Sequence, residues 1–91
     1  MSVFMTTIHR TTVVGQCPLG CADIYEVEFH VANKIIPVEA IQAEIDRATQ
    51  SPIYQEDLTS RLASVLGCTV VSRGTHSRFR TECSASMEAN G

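Results

Sequence analysis

A short segment near the amino terminus, GQCPLGCAD (15–23), brings together residue types that can do chemistry. Cys17 and Cys21 are separated by Pro-Leu-Gly, and Asp23 follows shortly after. A thiolate is a strong nucleophile and a good metal ligand, and a nearby carboxylate can accept or supply a proton. The segment is therefore compatible with a nucleophilic cysteine assisted by Asp23, with part of a metal site, with a disulfide across a short loop, or with two ordinary cysteines.

A zinc site would need three or four ligands, and few residues could complete one here. His76 is the first candidate, with Cys68 or Cys83 as a further one. The C-x3-C spacing is looser than the C-x2-C of common zinc knuckles, and no second pair follows. We therefore expect no metal, and keep Cys17, Cys21 and His76 as the alternative zinc ligands.

Two further segments contain groups that can bind a ligand or transfer a proton. Gln55 and Glu56 lie in the first turn of a predicted helix, where a carboxylate also stabilises the helix dipole. His76 follows Gly74 in a predicted turn, where it could act as an acid or base or simply be solvated. Spacing alone leaves the structural and the functional interpretation of each residue open.

Four segments have the composition of β-strands: 3–14, 24–32, 68–74 and 77–83. The second alternates strictly between two faces. One face has Ile24, Glu26, Glu28 and His30, and the other has Tyr25, Val27, Phe29 and Val31. Gly74 is expected to form the turn between the last two strands.

Two helices are predicted between the strand pairs, over residues 37–49 and 51–66. Their apolar positions are Val38, Ile41 and Ile45 in the first helix, and Leu58, Leu62, Val65 and Leu66 in the second. Pro37 suits a first helical position, Ser51 followed by Pro52 suits an N-cap, and Gly67 suits a helix end.

The order strand, strand, helix, helix, strand, strand predicts an α+β domain with a four-stranded antiparallel sheet and both helices on one face. We expect a single domain over 1–84 and a flexible tail over 85–91. Because 91 residues bury a limited core and one sheet face stays uncovered, we expect a homo-oligomer.

Composition limits the partners and the cellular compartment that we expect for the protein. The net charge of −3 gives no long-range attraction for phosphates, so a nucleic acid would depend on local arginines such as Arg73, Arg78 and Arg80. No apolar run is long enough to span a bilayer, and the first residues do not resemble a secretory signal. We therefore expect a cytoplasmic protein without a membrane partner, and expect its four cysteines to be thiols.

Taken together, residues 12–83 resemble the tunnelling-fold (T-fold) superfamily of purine- and pterin-binding enzymes. SPIYQEDLTSRLASVLGCTVVSRGTHS (51–77) is similar to the region of GTP cyclohydrolase I where a Gln-Glu-x-Leu-Thr segment opens a helix and a later strand ends in a His-containing turn. The resemblance implies that Glu56 binds the guanidine-like edge of the base through two parallel N–H bonds, with Gln55 and His76 also at the substrate.

The cysteine segment is similar to a different branch of that superfamily. GTP cyclohydrolase I has Cys-Glu-His-His where this chain has CPLG, and its later zinc cysteine corresponds approximately to Arg78. CPLGCAD resembles the Cys-Pro-x5-Asp signature of the 7-cyano-7-deazaguanine nitrile reductases and the related archaeosine amidinotransferases. In those enzymes the cysteine attacks a nitrile to give a thioimide and the aspartate supplies the proton, so the resemblance implies these roles for Cys17 and Asp23.

Three departures from the pattern set the alternatives. The Cys17–Asp23 spacing is one residue shorter than the signature, which leaves Cys21 as an alternative nucleophile. Gln55 stands where that family usually has a histidine, and PVEAIQAEIDRA (37–48) lacks the Glu-Ser-Leu-Lys type segment that the reductases use for the nicotinamide cofactor.

The resemblance therefore implies an amidinotransferase-like enzyme without a cofactor, in which ammonia or another amine resolves the thioimide. Its implied substrate is a 7-cyano-7-deazaguanine-type base, free or in tRNA, and its implied assembly is an oligomeric barrel, with a decamer as one candidate. The alternatives are an NADPH-dependent 7-cyano-7-deazaguanine reductase, a GTP cyclohydrolase I-like zinc hydrolase and a non-catalytic purine- or pterin-binding module.

Overall fold

The computed structural model describes residues 2–87. Six elements follow one another: β1 Thr6–Gln16, β2 Ala22–Ala32, α1 Val38–Ala48, α2 Gln55–Leu66, β3 Thr69–His76 and β4 Phe79–Ala85. This order confirms the predicted α+β class and the ββααββ arrangement, and the strand bounds differ from the predicted ones by a few residues. Within residues 2–87, no helix has the length and apolar character needed to cross a membrane.

The strands form one antiparallel sheet in the order β1-β2-β3-β4. The strict alternation in β2 separates its two faces as predicted, because successive side chains of a strand point to opposite sides. The inward residues Tyr25, Val27, Phe29 and Val31 are at most 4% exposed, and they pack with Ile41, Ile45, Leu58 and Leu62 from the helices. The helices therefore pack against β2, and this core determines their positions relative to that strand.

Two apolar residues of the predicted helix stripes are not in the core. Val38 in the first turn of α1 is 56% exposed, and Val65 near the end of α2 is 54% exposed. The buried side of α2 is centred on Thr59 and Leu62, and a residue three positions after Leu62 lies at the edge of that stripe. Burial therefore follows a narrower stripe than apolar spacing alone predicted.

Helix α2 begins later than predicted, with Tyr54 as its N-cap residue instead of Ser51. The Ile53 N–H donates to the Gln16 carbonyl at 2.8 Å, and this contact holds the residues before the helix in an extended path along the end of β1. Gly67 ends the helix in the left-handed conformation (φ 64°), as predicted. The late start places the first turn of α2 beside the turn between β1 and β2.

The turn between β3 and β4 is formed by Ser77 and Arg78, so the assignment of this turn to Gly74 was wrong. Gly74 lies inside β3, paired with Tyr25 on one side and with Thr81 on the other. Ser77 takes a left-handed conformation (φ 57°), which residues other than glycine adopt less readily. His76 is therefore the last residue of β3 and not part of the turn.

The sheet face away from the helices contains a network of ion pairs around Glu28. Arg10 and Arg73 lie 3.0 Å and 3.1 Å from its carboxylate, His30 lies at 2.9 Å, and Arg73 also pairs with Glu82 at 2.7 Å. The hydrogen bonds from His30 and then Arg10 are the main causes that lower the pKa of Glu28 to about 2.

The same open face also has exposed apolar side chains. Val14 and Ile24 face each other across β1 and β2 and are 65% and 63% exposed. At the far end of the chain, β4 runs to Ala85, the first residue of the predicted tail, and residues 88–91 of that tail lie outside the described residues.

Candidate functional site

A cavity of about 250 Å³ opens where the β1–β2 turn, the start of α2 and the β3–β4 hairpin meet. The predicted catalytic and substrate-binding residues all line it: Cys17, Asp23, Gln55, Glu56 and His76. Aromatic rings of Tyr25, Tyr54 and Phe79 complete much of its wall. The volume is slightly below the roughly 300–1,000 Å³ of pockets for drug-sized ligands, so the cavity suits a ligand of about the size of a nucleobase.

A second and more open depression, of about 780 Å³, lies on the open face of the sheet. Its lining includes Ile24, Glu26, Arg73 and Arg80, and contains neither cysteine nor histidine. Arg73 is already paired with carboxylates of the open face. The smaller cavity is therefore the one in which a nucleophile and proton-transfer groups converge.

The turn between β1 and β2 presents Cys17 to the cavity and leaves Cys21 outside its lining. The Cys17 N–H donates to the Cys21 carbonyl at 2.8 Å, and the Gly20 N–H donates to the Cys17 carbonyl at 2.9 Å. Gly20 has a φ of 96°, which residues with a side chain rarely adopt. This tight turn buries Cys17, which is 4% exposed, while Cys21 is exposed to solvent.

The Cys21 thiol ionises less readily than an ordinary cysteine. The side-chain hydrogen bond with Cys17, followed by the charge of Cys17, raises the pKa of the Cys21 thiol above its ordinary value. A thiol with a raised pKa has less thiolate near neutral pH and is a weaker nucleophile. Cys17 is thus favoured by its place in the cavity lining, and the raised pKa of Cys21 counts against Cys21 as the nucleophile.

Asp23 is the buried acid of the cavity, with 7% of its surface exposed. The Tyr25 hydroxyl donates to Asp23 Oδ2 at 2.9 Å, and His76 Nδ1 lies 3.7 Å from Asp23 Oδ1. Burial, and then the hydrogen bond to Asp23, raise the pKa of Tyr25 above its ordinary value, so its hydroxyl remains a donor. One carboxylate oxygen is therefore held and the other faces an imidazole.

Gln55 is fixed by a buried polar network. Its Nε2 donates to the Thr81 carbonyl (3.0 Å), the Ser72 hydroxyl (3.1 Å) and the Ser72 carbonyl (3.3 Å). Thr59 Oγ1 lies 2.6 Å from that Ser72 hydroxyl and donates to the Gln55 backbone carbonyl at 2.7 Å. Because carbonyl oxygens can only accept, the network determines which end of the Gln55 amide is NH₂.

The oxygen of the Gln55 amide is left for a ligand. Gln55 Oε1 has no hydrogen-bond partner among residues 2–87, whereas every fully buried side-chain polar atom in that part of the chain has one. The atom is therefore accessible, and Gln55 lines the cavity. The cavity thus offers a fixed acceptor beside the carboxylate of Glu56.

Glu56 lies on the solvent side of the same first turn of α2, where it lines the cavity. Its charge is close enough to contribute to the raised pKa of Tyr25, after burial and the Asp23 contacts. Asp57 is the next acidic residue of that turn and is outside the cavity lining. The helix dipole stabilises both carboxylates, but only Glu56 is placed to contact a ligand.

The candidate metal ligands of the sequence can be compared with their positions in the structure. Among residues 2–87, no three or more His, Cys, Asp or Glu side chains are grouped so that they could hold a metal ion. Cys17 and Cys21 hydrogen-bond to each other, and His76 Nδ1 lies 3.7 Å from Asp23 Oδ1. The alternative zinc set of Cys17, Cys21 and His76 is not grouped in this way among residues 2–87.

Tyr25 and Phe79 line the cavity although neither was predicted as a site residue. Tyr25 was assigned to the buried face of its strand, which is correct, but not to the site. Two sequence features point to it: a buried tyrosine hydroxyl needs a partner, and Asp23 lies two residues earlier on the same strand face. Phe79 lies at the cavity because it pairs with His76 across the hairpin turn. This pairing could not be predicted while the turn was assigned to Gly74.

Comparison with solved structures identifies the fold. The chain is similar to the crystal structure of the archaeosine synthase QueF-Like in the apo form, with a TM-score of 0.82 and 17% sequence identity, covering 93% of this chain and 96% of that chain. No protein-family model and no curated protein sequence matches. The structural likeness confirms the predicted T-fold, a four-stranded antiparallel sheet with two helices in ββααββ order.

Proposed function

We propose that the chain is an amidinotransferase-like enzyme that acts on the nitrile of a 7-deazaguanine base through a thioimide on Cys17. The observation that supports this function is the convergence of Cys17, Asp23 and Glu56 in one cavity of nucleobase size. The reaction needs a nucleophile, a group that moves a proton and a group that orients the base. The likeness to an archaeosine synthase QueF-like protein adds support at the level of the fold.

The first step joins the thiol and the nitrile. Asp23 accepts the thiol proton of Cys17, and the sulfur electron pair forms a bond to the nitrile carbon. One π bond of the C≡N group breaks, and its electron pair on nitrogen accepts the proton that Asp23 now holds. The product is a thioimide that contains every atom of both reactants.

The second step releases the product. Ammonia or another amine adds to the thioimide carbon, and the tetrahedral intermediate expels the Cys17 sulfur to leave an amidine. One proton of the amine returns to the sulfur through Asp23 or through His76. His76 Nδ1 lies 3.7 Å from Asp23 Oδ1. The enzyme is regenerated without a change in oxidation state, so the chemistry requires no redox cofactor.

The base is oriented by the acceptor atoms at the start of α2. A guanine-type ring presents adjacent N–H donors on its pyrimidine edge, which match a carboxylate that accepts two parallel hydrogen bonds. Glu56 provides that carboxylate, and Gln55 Oε1 provides a further fixed acceptor. A ring with acceptors in these positions would cover the Gln55 oxygen without giving it a hydrogen bond, which disfavours such a ring.

The products of a single incubation test the proposed reaction. Protein is mixed with 7-cyano-7-deazaguanine and ammonium ion, and the base is analysed by liquid chromatography and mass spectrometry. The expected product is the amidine, formed in the parent protein and absent from Cys17→Ala. An amine product that appears only with NADPH would support the reductase instead, and recovery of unchanged nitrile under both conditions would contradict catalysis.

A further inference from the structure

We infer that Tyr25 is a positioning residue for Asp23, and that Gly74, on the neighbouring strand β3, leaves the slot that holds its ring. The contacts of this arrangement are independent of any substrate. Its expected effect on adduct formation rests on the proposed function.

The Tyr25 hydroxyl is committed to Asp23. The two residues lie two apart on the inward face of β2, and both are almost completely buried, at 4% and 7% exposure. The hydroxyl donates to Asp23 Oδ2 at 2.9 Å, while Oδ1 faces His76 at 3.7 Å. Tyr25 thus fixes the carboxylate in one orientation, with one oxygen held and the other free to exchange a proton in the cavity.

The ring of Tyr25 is accommodated by a glycine that has no conformational reason to be there. Gly74 is the cross-strand partner of Tyr25, and a Cβ at this position would lie 2.6 Å and 2.9 Å from ring atoms Cδ1 and Cε1. Gly74 does not have a positive φ, so its backbone would accept alanine. Space for the Tyr25 ring is therefore what requires glycine in the middle of β3.

Gly15 lies on the other side of the same ring and supplies a matched comparison. It is in β1, opposite Asp23, and a Cβ there would lie 3.7 Å from Tyr25 Cε2, an ordinary van der Waals distance. Gly15 also lacks a positive φ and is outside the cavity lining. Alanine at Gly74 should thus displace the ring, whereas alanine at Gly15 should leave it in place.

Displacement of the ring has a chemical consequence. A carboxylate that loses its anchoring donor samples several orientations, and small errors in the position of a proton-transfer group slow a reaction strongly. We expect Tyr25→Phe to slow adduct formation between Cys17 and 7-cyano-7-deazaguanine by about tenfold or more, as for the loss of a hydrogen bond to a charged group. Binding of the base should change little, because the hydroxyl is already committed to Asp23.

A double-mutant cycle tests whether Gly74 acts through Tyr25. The rate of adduct formation is measured by mass spectrometry for the parent, Tyr25→Phe, Gly74→Ala, the double variant and the control Gly15→Ala. Gly74→Ala is expected to be slowed as much as Tyr25→Phe, and the double variant no more than either, because only one hydroxyl contact can be lost. Gly15→Ala is expected to react at the parent rate.

A titration without substrate separates this inference from the proposed function. In a Tyr54→Phe background the only phenol is Tyr25, and its ionisation is followed by ultraviolet absorbance. Burial, Asp23, Cys17 and Glu56 all raise the pKa of Tyr25, so the parent phenol should resist ionisation. Gly74→Ala should lower the midpoint towards the ordinary value, and Gly15→Ala should not.

The adduct measurement and the phenol titration can fail independently, and each failure contradicts a different claim. If no adduct forms in the parent protein, the proposed function fails, and the phenol titration alone decides whether Gly74 keeps Tyr25 at Asp23. If Gly74→Ala and Gly15→Ala both titrate like the parent, the slot is overturned. If Tyr25→Phe forms the adduct within about twofold of the parent rate, well below the effect of losing a hydrogen bond to a charged group, the positioning role is overturned.

Discussion

Glu56 and Asp57 are neighbouring carboxylates in the first turn of α2, and both complement the helix dipole. Only Glu56 lines the cavity. Glu56→Gln keeps the size of the side chain and removes its charge and one acceptor, so we expect affinity for 7-cyano-7-deazaguanine to fall by about 1.5–3 kcal/mol. Calorimetric titration in a Cys17→Ala background measures binding without covalent reaction.

Asp57→Asn is the matched control, because it removes the same charge from the same helical turn outside the cavity. It is expected to lower the melting temperature about as much as Glu56→Gln while binding the base like its background. Equal affinities for both variants would mean that Glu56 has only the helix-dipole role.

At single positions, the sequence predicted which residues belong to the site better than it predicted the contacts that they make. Cys17, Asp23 and Glu56 stand out because their types and spacing resemble a known signature, and the structure places them in one cavity. Tyr25 has the pattern of any inward residue of an alternating strand. A buried hydroxyl two residues from Asp23 suggests a contact, and the structure shows that this contact is a hydrogen bond to Asp23 Oδ2.

At the scale of elements, periodicity predicted all six segments, and tertiary contacts decided their ends. The pairing of Gly74 with Tyr25 and Thr81 extends β3 past the glycine that suggested a turn. Likewise, the bond between Ile53 and Gln16 delays the start of α2 beyond a favourable Ser-Pro cap. Both contacts join residues distant in sequence, so local propensity could not reveal them.

The sheet has a pH dependence that follows from Glu28. Its pKa is lowered from an ordinary value of 4.5 to about 2, chiefly by His30 and Arg10. A lowered carboxyl pKa stabilises the folded state fully above about pH 4.5, and this contribution is lost as the pH falls towards 2. Urea unfolding between pH 5 and pH 2 should therefore show a falling free energy of unfolding, with a smaller fall at high salt.

Glu28→Gln is expected to flatten this fall, because the residue that binds the extra proton on unfolding is gone. Glu39→Gln is the control, since Glu39 makes no ion pair within residues 2–87 and lies in the first turn of α1. If Glu28→Gln kept the parent pH dependence, the network on the open face would not stabilise the fold through this carboxylate.

At the scale of the whole molecule, the helices cover only one side of the sheet within residues 2–87. The open face has the paired Val14 and Ile24, both more than 60% exposed, and β1 and β4 are the edge strands of the sheet. Exposed edges and apolar pairs are surfaces on which another strand or subunit can pack. We therefore propose that copies of this chain assemble through the open face and the sheet edges.

Light scattering tests this assembly. The parent is expected to have a mass several times 9.9 kDa at micromolar concentration, with a melting temperature that rises with protein concentration. Ile24→Lys should reduce the mass, whereas Val65→Lys, at a similarly exposed site on α2, should not. A parent protein that remains a 9.9 kDa monomer would contradict the proposal.

The central claim is that Cys17 is a nucleophile towards a nitrile, and intact-protein mass spectrometry after incubation with 7-cyano-7-deazaguanine tests it most directly. The account predicts one adduct with the full mass of the nitrile in the parent and in Cys21→Ala, none in Cys17→Ala, and slower formation in Asp23→Asn, because the nitrogen loses its proton donor. An adduct that survives Cys17→Ala and disappears in Cys21→Ala, or no adduct in the parent protein, would contradict it.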